Sequence, residues 1–252
     1  MKRAHFRFYA ELNDFLPHDA RGSILTREFE LGASVKDMIE AFGVPHTEVD
    51  VVLVNGKSVD FSHRVEDADR ISVYPVFESL DVGEIVRVRP EPLRESRFVL
   101  DAHLGTLARH LRLLGFDCLY RNDFSDADLA EISVAERRVL LTRDVGILKR
   151  SVVTHGYFVR ATEPRAQAFE VVRRFDLFSA IDPFRRCLGC NGPLTPVAKA
   201  LVEHRLPPRT ARHYDEFRIC SDCEQIYWKG SHYTRMLDFV EEVQSRGARP
   251  AG

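Results

Sequence analysis

Residues 3–9 (Arg-Ala-His-Phe-Arg-Phe-Tyr) and the run from Thr26 to Leu31 alternate apolar and polar side chains, the period of half-buried strands. Asn13, Asp14, Pro17 and Gly22 lie between them, so the two runs predict a hairpin with a long turn. From Ser34 the period lengthens to that of a helix. Val35, Met38, Ile39 and Phe42 fall on one face, Ser34 is placed to cap it, and Gly43 with Pro45 ends it. Val49 to Val54 predicts a third strand, Asn55-Gly56 a tight turn, and Arg70 to Val76 a last strand.

Residues 81–96, charged and carrying Pro90 and Pro92, predict a linker with one short strand at Glu84 to Val88. Beyond it the pattern changes character. Arg97-Phe-Val-Leu-Asp and Arg138-Val-Leu-Leu-Thr-Arg-Asp are continuous apolar runs, each ending in an aspartate and leading into a helical pattern. Between them Leu104, Leu107, Ala108, Leu111 and Leu114 share one helix face, with Arg109 and Arg112 on the other and Gly115 suited to end it. A strand at Phe116 to Tyr120 and a helix at Asp126 to Arg137 follow, the helix opened by Ser125 with Asp128 at its third position. A short helix at Val145 to Arg150, a strand at Tyr157 to Arg160 and a helix from near Thr162 complete a β-α alternation, which predicts an α/β domain with a parallel sheet.

In such sheets ligands bind beyond the carboxyl ends of the strands. Asp101 and Asp144 stand at two of those ends, and their hard oxygens suit Mg²⁺ or Mn²⁺. Asp126 and Asp128 open the helix between them and are the further acids of the set, with helix capping the alternative role for either.

Composition narrows the class. A chain of 252 residues predicts more than one domain, and 44% hydrophobic with 29% charged residues is ordinary for globular protein. No apolar stretch approaches the roughly 18 residues of a membrane span, and the N-terminus lacks the apolar core of a signal peptide. The expectation is a cytoplasmic protein without a membrane partner. Net charge is −2, but residues 1–80 carry 9 Lys+Arg against 14 Asp+Glu while 185–235 carry nine against five. The basic end would favour a polyanion.

Cys187-x2-Cys190 and Cys220-x2-Cys223 have the spacing of a four-thiolate zinc site with no open coordination position, hence a structural metal. Cys118, alone on a predicted strand, reads as a small apolar residue. Around the knuckles Arg185, Arg186, Arg209 and Arg212 interleave with Tyr214, Phe217, Tyr227, Trp228 and Tyr233, a mixture that suits single-stranded nucleic acid, although several aromatics must form the small core of the module.

The β-β-α-β-β order of the first 80 residues, and Ser34-Val-Lys-Asp-Met-Ile-Glu-Ala-Phe-Gly-Val-Pro-His in particular, resembles β-grasp, ubiquitin-like and sulfur-carrier proteins. Those carriers act through a terminal Gly-Gly, whereas here the chain runs on through Val73-Tyr-Pro-Val-Phe-Glu-Ser-Leu, so the expected role is that of a docking or regulatory module with a protein partner. Phe98-Val-Leu-Asp-Ala-His-Leu-Gly-Thr-Leu-Ala-Arg-His-Leu-Arg-Leu-Leu-Gly-Phe-Asp, Ser125-Asp-Ala-Asp-Leu and Val139-Leu-Leu-Thr-Arg-Asp are similar to the Mut-seven C-terminal (Mut7-C) RNase family, a branch of the PIN-domain nucleases.

That resemblance implies a ubiquitin-like domain at 1–80, a linker at 81–96, a PIN-like RNase domain at 97–182, a Cys₄ zinc ribbon at 183–235, and a C-terminal helix and tail at 236–252. It implies a Mg- or Mn-dependent ribonuclease, expected to be endonucleolytic, that hydrolyses RNA phosphodiesters. Asp101, Asp144 and an acid from Asp126 or Asp128 would hold the ions, with Thr142 supporting the site. Arg143 would touch substrate phosphate and the ribbon would contribute RNA binding. PIN domains commonly add a fourth acid after the last strand; Val145 to Arg150 has none, which leaves Asp123 or Glu163. An RNA- or ribosome-binding adaptor with a vestigial acidic site is the alternative.

Overall fold

The structure, a computed structural model, describes residues 1–30, 32–75, 88 and 97–247. Strands β1 (Lys2–Phe8) and β2 (Leu25–Phe29) pair antiparallel, starting from Lys2 opposite Phe29. Helix α1 (Val35–Ala41) begins at a full capping box: the Ser34 hydroxyl accepts from the Asp37 amide, and the Asp37 carboxylate accepts from the Ser34 amide. Such a cap is worth about 1 kcal/mol. Then come β3 (Val49–Val54), β4 (Lys57–Val59) and β5 (Arg70–Pro75), giving a five-stranded sheet in the order β2-β1-β5-β3-β4 with β1 and β5 parallel.

Strand β4 was not expected. Asn55 and Gly56 both adopt left-handed backbone (φ 51° and 83°), as a two-residue hairpin turn requires, and this twist folds Lys57–Val59 back onto β3. Phe6, Phe8, Ile39, Val52, Ile71 and Val73 fill the core between α1 and the sheet. The expected strand at Glu84 to Val88 lies outside the described residues except for Val88, whose amide donates to the Asp50 carbonyl.

The remaining elements are, in chain order, β6 (Phe98–Leu100), α2 (Gly105–Leu113), β7 (Cys118–Tyr120), α3 (Asp126–Ala135), β8 (Val139–Thr142), α4 (Val145–Leu148), β9 (Gly156–Phe158) and α5 (Pro164–Arg174). After them come β10 (Leu194–Val197), α6 (Lys199–Val202), α7 (Pro208–His213), β11 (Phe217–Cys220), β12 (Ile226–Trp228) and α8 (Ser231–Gly247). They are shared between two compact units, each drawn from two stretches of chain: residues 1–95 with 125–158, and 96–124 with 159–252.

In the first unit β8 and β9 pair in parallel, Leu141 opposite Tyr157. This segment is bonded to α1 and to the 3₁₀ turn before β3 at several points. The buried Glu48 carboxylate accepts from the Phe158 amide (2.6 Å), and the Lys149 ammonium donates to the Glu40 carbonyl (2.9 Å). The buried His46 ring joins the Glu40 carboxylate (2.6 Å) to the Val153 carbonyl (2.9 Å).

In the second unit β6 and β7 pair in parallel, Val99 opposite Leu119, with Leu107, Ala108 and Leu111 of α2 buried. Gly115 ends α2 in left-handed backbone (φ 102°), and a Cβ there would stand 2.1 Å from the Asp182 carbonyl oxygen. The expected polar face of α2 is half right. Arg109 is exposed, but Arg112 is 2% exposed and its guanidinium donates to the carbonyls of Cys118, Leu188 and Gly189. A fork of five donors can satisfy several buried carbonyls at once, which is why an arginine survives in this interior position.

Candidate functional site

Strands β10, β11 and β12 form a three-stranded antiparallel ribbon that presents two matched turns. In the first, the Cys187 amide donates to the Gly192 carbonyl and the Asn191 amide to the Cys187 carbonyl. In the second, the Cys220 amide donates to the Gln225 carbonyl and the Glu224 amide to the Cys220 carbonyl. Asn191 and Glu224, each four residues past the leading cysteine, both take left-handed backbone (φ 77° and 57°). Gly192 lets the two turns close on each other, since a Cβ there would meet the Asp222 carboxylate at 2.6 Å and Cys220 Sγ at 2.8 Å.

One sulfur position from each of the four cysteines lies within 4.8 Å of the others, with Cys187 to Cys223 at 3.6 Å and Cys190 to Cys220 at 3.4 Å. Four thiolates at about 2.3 Å from a tetrahedral zinc stand about 3.8 Å apart, so the donor set and its spacing fit that ion. Among the described residues these thiols are the group of three or more potential ligand side chains gathered this closely.

Burial alone would raise the Cys187 thiol, but the Tyr227 hydroxyl donating to its sulfur (3.1 Å) and the amides of Cys190 and Gly189 bring it down to about 7. Burial pushes Cys190 and Tyr227 the other way, well above their ordinary values. Cys187 is therefore the thiolate most ready to meet a metal at neutral pH.

The acids stand where the sequence put them along the chain. Asp101 follows β6, is half-buried, and precedes a 3₁₀ turn (Ala102–Leu104) that its side chain does not cap. Asp144 follows β8 and is exposed; one carboxylate oxygen accepts from the Gly146 amide at 2.6 Å, and its own amide donates to the Thr142 hydroxyl at 2.9 Å. Thr142 is fully buried. Asp126 and Asp128 lie in the exposed first turn of α3, and Asp128 is occupied there: its carboxylate accepts from the Ser125 amide (2.8 Å) and hydroxyl (2.7 Å), completing a capping box. Asp101 belongs to the second unit and the other three acids to the first.

The two stand-in acids are both engaged. Asp123 pairs with Arg121 at 2.6 Å. Glu163 caps α5, and the amides of Ala166 and Arg165 hold its carboxyl below the usual range.

Of the basic residues, Arg186 is held by Asp117 (3.5 Å) and the Asn191 carbonyl, and Arg185 pairs with Asp182. Arg209 and Arg212 are exposed on α7, and Arg143 is half-buried. Phe217 packs in the ribbon core with Val202 and Ile226, and Trp228 and Tyr214 close over it, so most ribbon aromatics are structural.

Residues 96–240, more than half of the chain, match the family described as the Mut7-C RNAse domain. The chain belongs to the Mut7-C family. Its N-terminal part is the ubiquitin-like domain of that family, matched over residues 1–81 under the description Mut7-C ubiquitin. Among solved structures, the small archaeal modifier protein 1 of H. volcanii is similar at 14% identity, with a TM-score of 0.25, covering 30% of this chain and 98% of that one. Among curated proteins none matches the chain significantly.

Three functional supports of this Mut7-C chain carry no signal in the sequence. The Asn191 amide group bridges β7 to the first knuckle, its oxygen accepting from the Cys118 amide (2.9 Å) and its nitrogen donating to Asp117 (2.8 Å). Arg112 clamps the carbonyls behind the same knuckle, and Tyr227 holds Cys187. Each acts across 40 or more residues of sequence, and no local periodicity marks such a contact. No described helix is long and apolar enough to cross a membrane.

Proposed function

We propose that the protein is a Mg²⁺- or Mn²⁺-dependent ribonuclease of the PIN-like type, acting endonucleolytically, with a structural zinc in its ribbon and RNA contacts supplied from the basic ribbon end. The observation that carries the proposal is the match of residues 96–240 to the Mut7-C RNAse domain, in which Asp101 and Asp144 each follow a parallel strand. Asp101, Asp144 and Asp126 would hold the divalent ion; Asp128 is the weaker candidate because its carboxylate is spent on the helix cap. The donor chemistry fits. These are hard oxygens, and Asp144 accepts one hydrogen bond from its own turn while keeping lone pairs for a cation.

When bound, the ion lowers the pKa of a water and offsets charge on the phosphate during in-line attack. The chain's own part is orientation. Gly146 fixes one Asp144 oxygen, and the buried Thr142 hydroxyl fixes the Asp144 backbone, so the carboxylate is presented without a search over rotamers. Four thiolates leave zinc no open position, so its role is to fold the ribbon. The ubiquitin-like domain is the element suited to a protein partner.

The test is cleavage of single-stranded RNA under Mg²⁺ and Mn²⁺ titration. Asn caps helices as well as Asp does, so Asp144→Asn removes charge and keeps the turn. The double variant Asp101→Asn/Asp144→Asn is expected to lose about a hundredfold or more of the rate with an unchanged melting curve. Full activity in that variant, or intact RNA with the wild-type chain at every metal concentration, overturns the proposal; the second outcome favours an RNA-binding adaptor.

A further inference from the structure

Beside α2 two depressions of about 690 and 390 Å³ run together, sharing Thr106, Arg109 and Leu188. The first opens at Ala102 and His103, directly after Asp101, and passes between α2 and the ribbon; the second continues past Arg165 to His232 and Arg235 on α8. Among the described residues no Asp or Glu lines either one. Arg165 is partly neutralised by Glu242 (3.2 Å), and His110 is turned inward, its ring stacked on Phe239 and bonded to the Pro164 carbonyl. The others are unspent: His103, Arg109, His232 and Arg235 are exposed and, among the described residues, their side chains make no hydrogen bond or ion pair with the protein.

Two exposed arginines on two different helices, facing one groove that no described acid lines, give it a positive wall in a protein of net charge −2. A ligand with evenly spaced negative charge complements it, and the guanidinium fork matches phosphate oxygens in pairs. We propose that this groove holds the phosphodiester backbone of a single-stranded nucleic acid, with Arg109 and Arg235 as its phosphate contacts, on the side of the strand leading away from Asp101. Tyr120 and Tyr227 in the wall of the first depression give the strand aromatic surface, which an acidic polypeptide would not use. The inference rests on the ribonuclease reading for the direction of the strand but not for its binding.

The test uses the full chain carrying Asp144→Asn, without divalent ions, and a short fluorescein-labelled oligouridylate followed by anisotropy across a salt series. Arg109 and Arg235 lie on exposed helix faces, where alanine is a better helix former, so Arg109→Ala/Arg235→Ala is expected to fold. Its affinity is expected to fall about tenfold or more per arginine, and the slope of log affinity against log salt to shrink by about 0.7 for each lost phosphate contact. Arg109→Lys/Arg235→Lys should restore the slope and only part of the affinity, since lysine keeps the charge and loses the fork.

Unchanged affinity and slope in the alanine variant overturn the groove, as does displacement of the oligouridylate by polyglutamate as readily as by unlabelled oligouridylate. The two proposals fail separately. Arginine-dependent binding by a chain that cleaves no RNA sinks the ribonuclease and keeps the groove, whereas cleavage that survives Arg109→Ala/Arg235→Ala with unaltered binding does the reverse.

Discussion

Asp126 and Asp128 are two residues apart in one exposed helical turn, yet their carboxylates are in different circumstances. Asp128 accepts from both the amide and the hydroxyl of Ser125, so Asp128→Ala is expected to cost about 1 kcal/mol in urea unfolding, the usual worth of a cap. Asp126→Asn is expected to leave the unfolding midpoint in place and to slow RNA cleavage. Equal cleavage by Asp126→Asn and wild type would remove Asp126 from the acidic set. The Ser-x-x-Asp pattern was legible as a capping box, because a cap is decided within four residues. Which acid is taken up by the cap was not legible, because both meet the same sequence criteria and only the bonded geometry separates them. Arg112 is the converse case. By helical period it belongs with Arg109 on the solvent face, but the ribbon, arriving from 76 residues downstream, covers it.

At the scale of elements, helix α8 lies against α2 and α5 through His110 and Phe239, whose rings stack at 4.6 Å, and through Arg165 and Glu242. Burial lowers the His110 pKa from its ordinary 6.5; the Pro164 carbonyl opposes this, Arg165 and Arg109 add to it, and Glu163 offsets part of it. The folded state thus takes up fewer protons here than the unfolded chain. The stability contributed by neutral His110 is fully present above about pH 6.5 and is lost as pH falls through the lower folded value. His110→Gln is expected to flatten the fall of the urea midpoint below about pH 6.5, and parallel profiles for variant and wild type would refute this. The helices themselves were readable from period and caps. Their mutual packing was not, and neither was β4, which exists because two residues with positive φ return the chain onto its neighbour.

For the whole molecule, the domain limits drawn from the sequence follow composition, with a charged linker parting 1–80 from 97 onward. The compact units follow contacts instead, and residues 125–158 consort with the ubiquitin-like segment through Glu48, His46 and Glu40. A chain lacking residues 1–80 is therefore expected to show faster hydrogen exchange across α4 and β9 and an earlier thermal transition; unaltered exchange there would mean that the bonds from Glu48 and His46 contribute nothing. Motif spacing disclosed the four-thiol cluster, but not that one stretch of chain would be divided between two bodies. That division has a consequence for synthesis on the ribosome, where the chain emerges in order. The first unit has all its residues once Phe158 is made, whereas the second is complete only after the ribbon and helix α8 have followed. Strand β6 and helix α2, with Asp101 between them, are thus made early in a unit that is completed late.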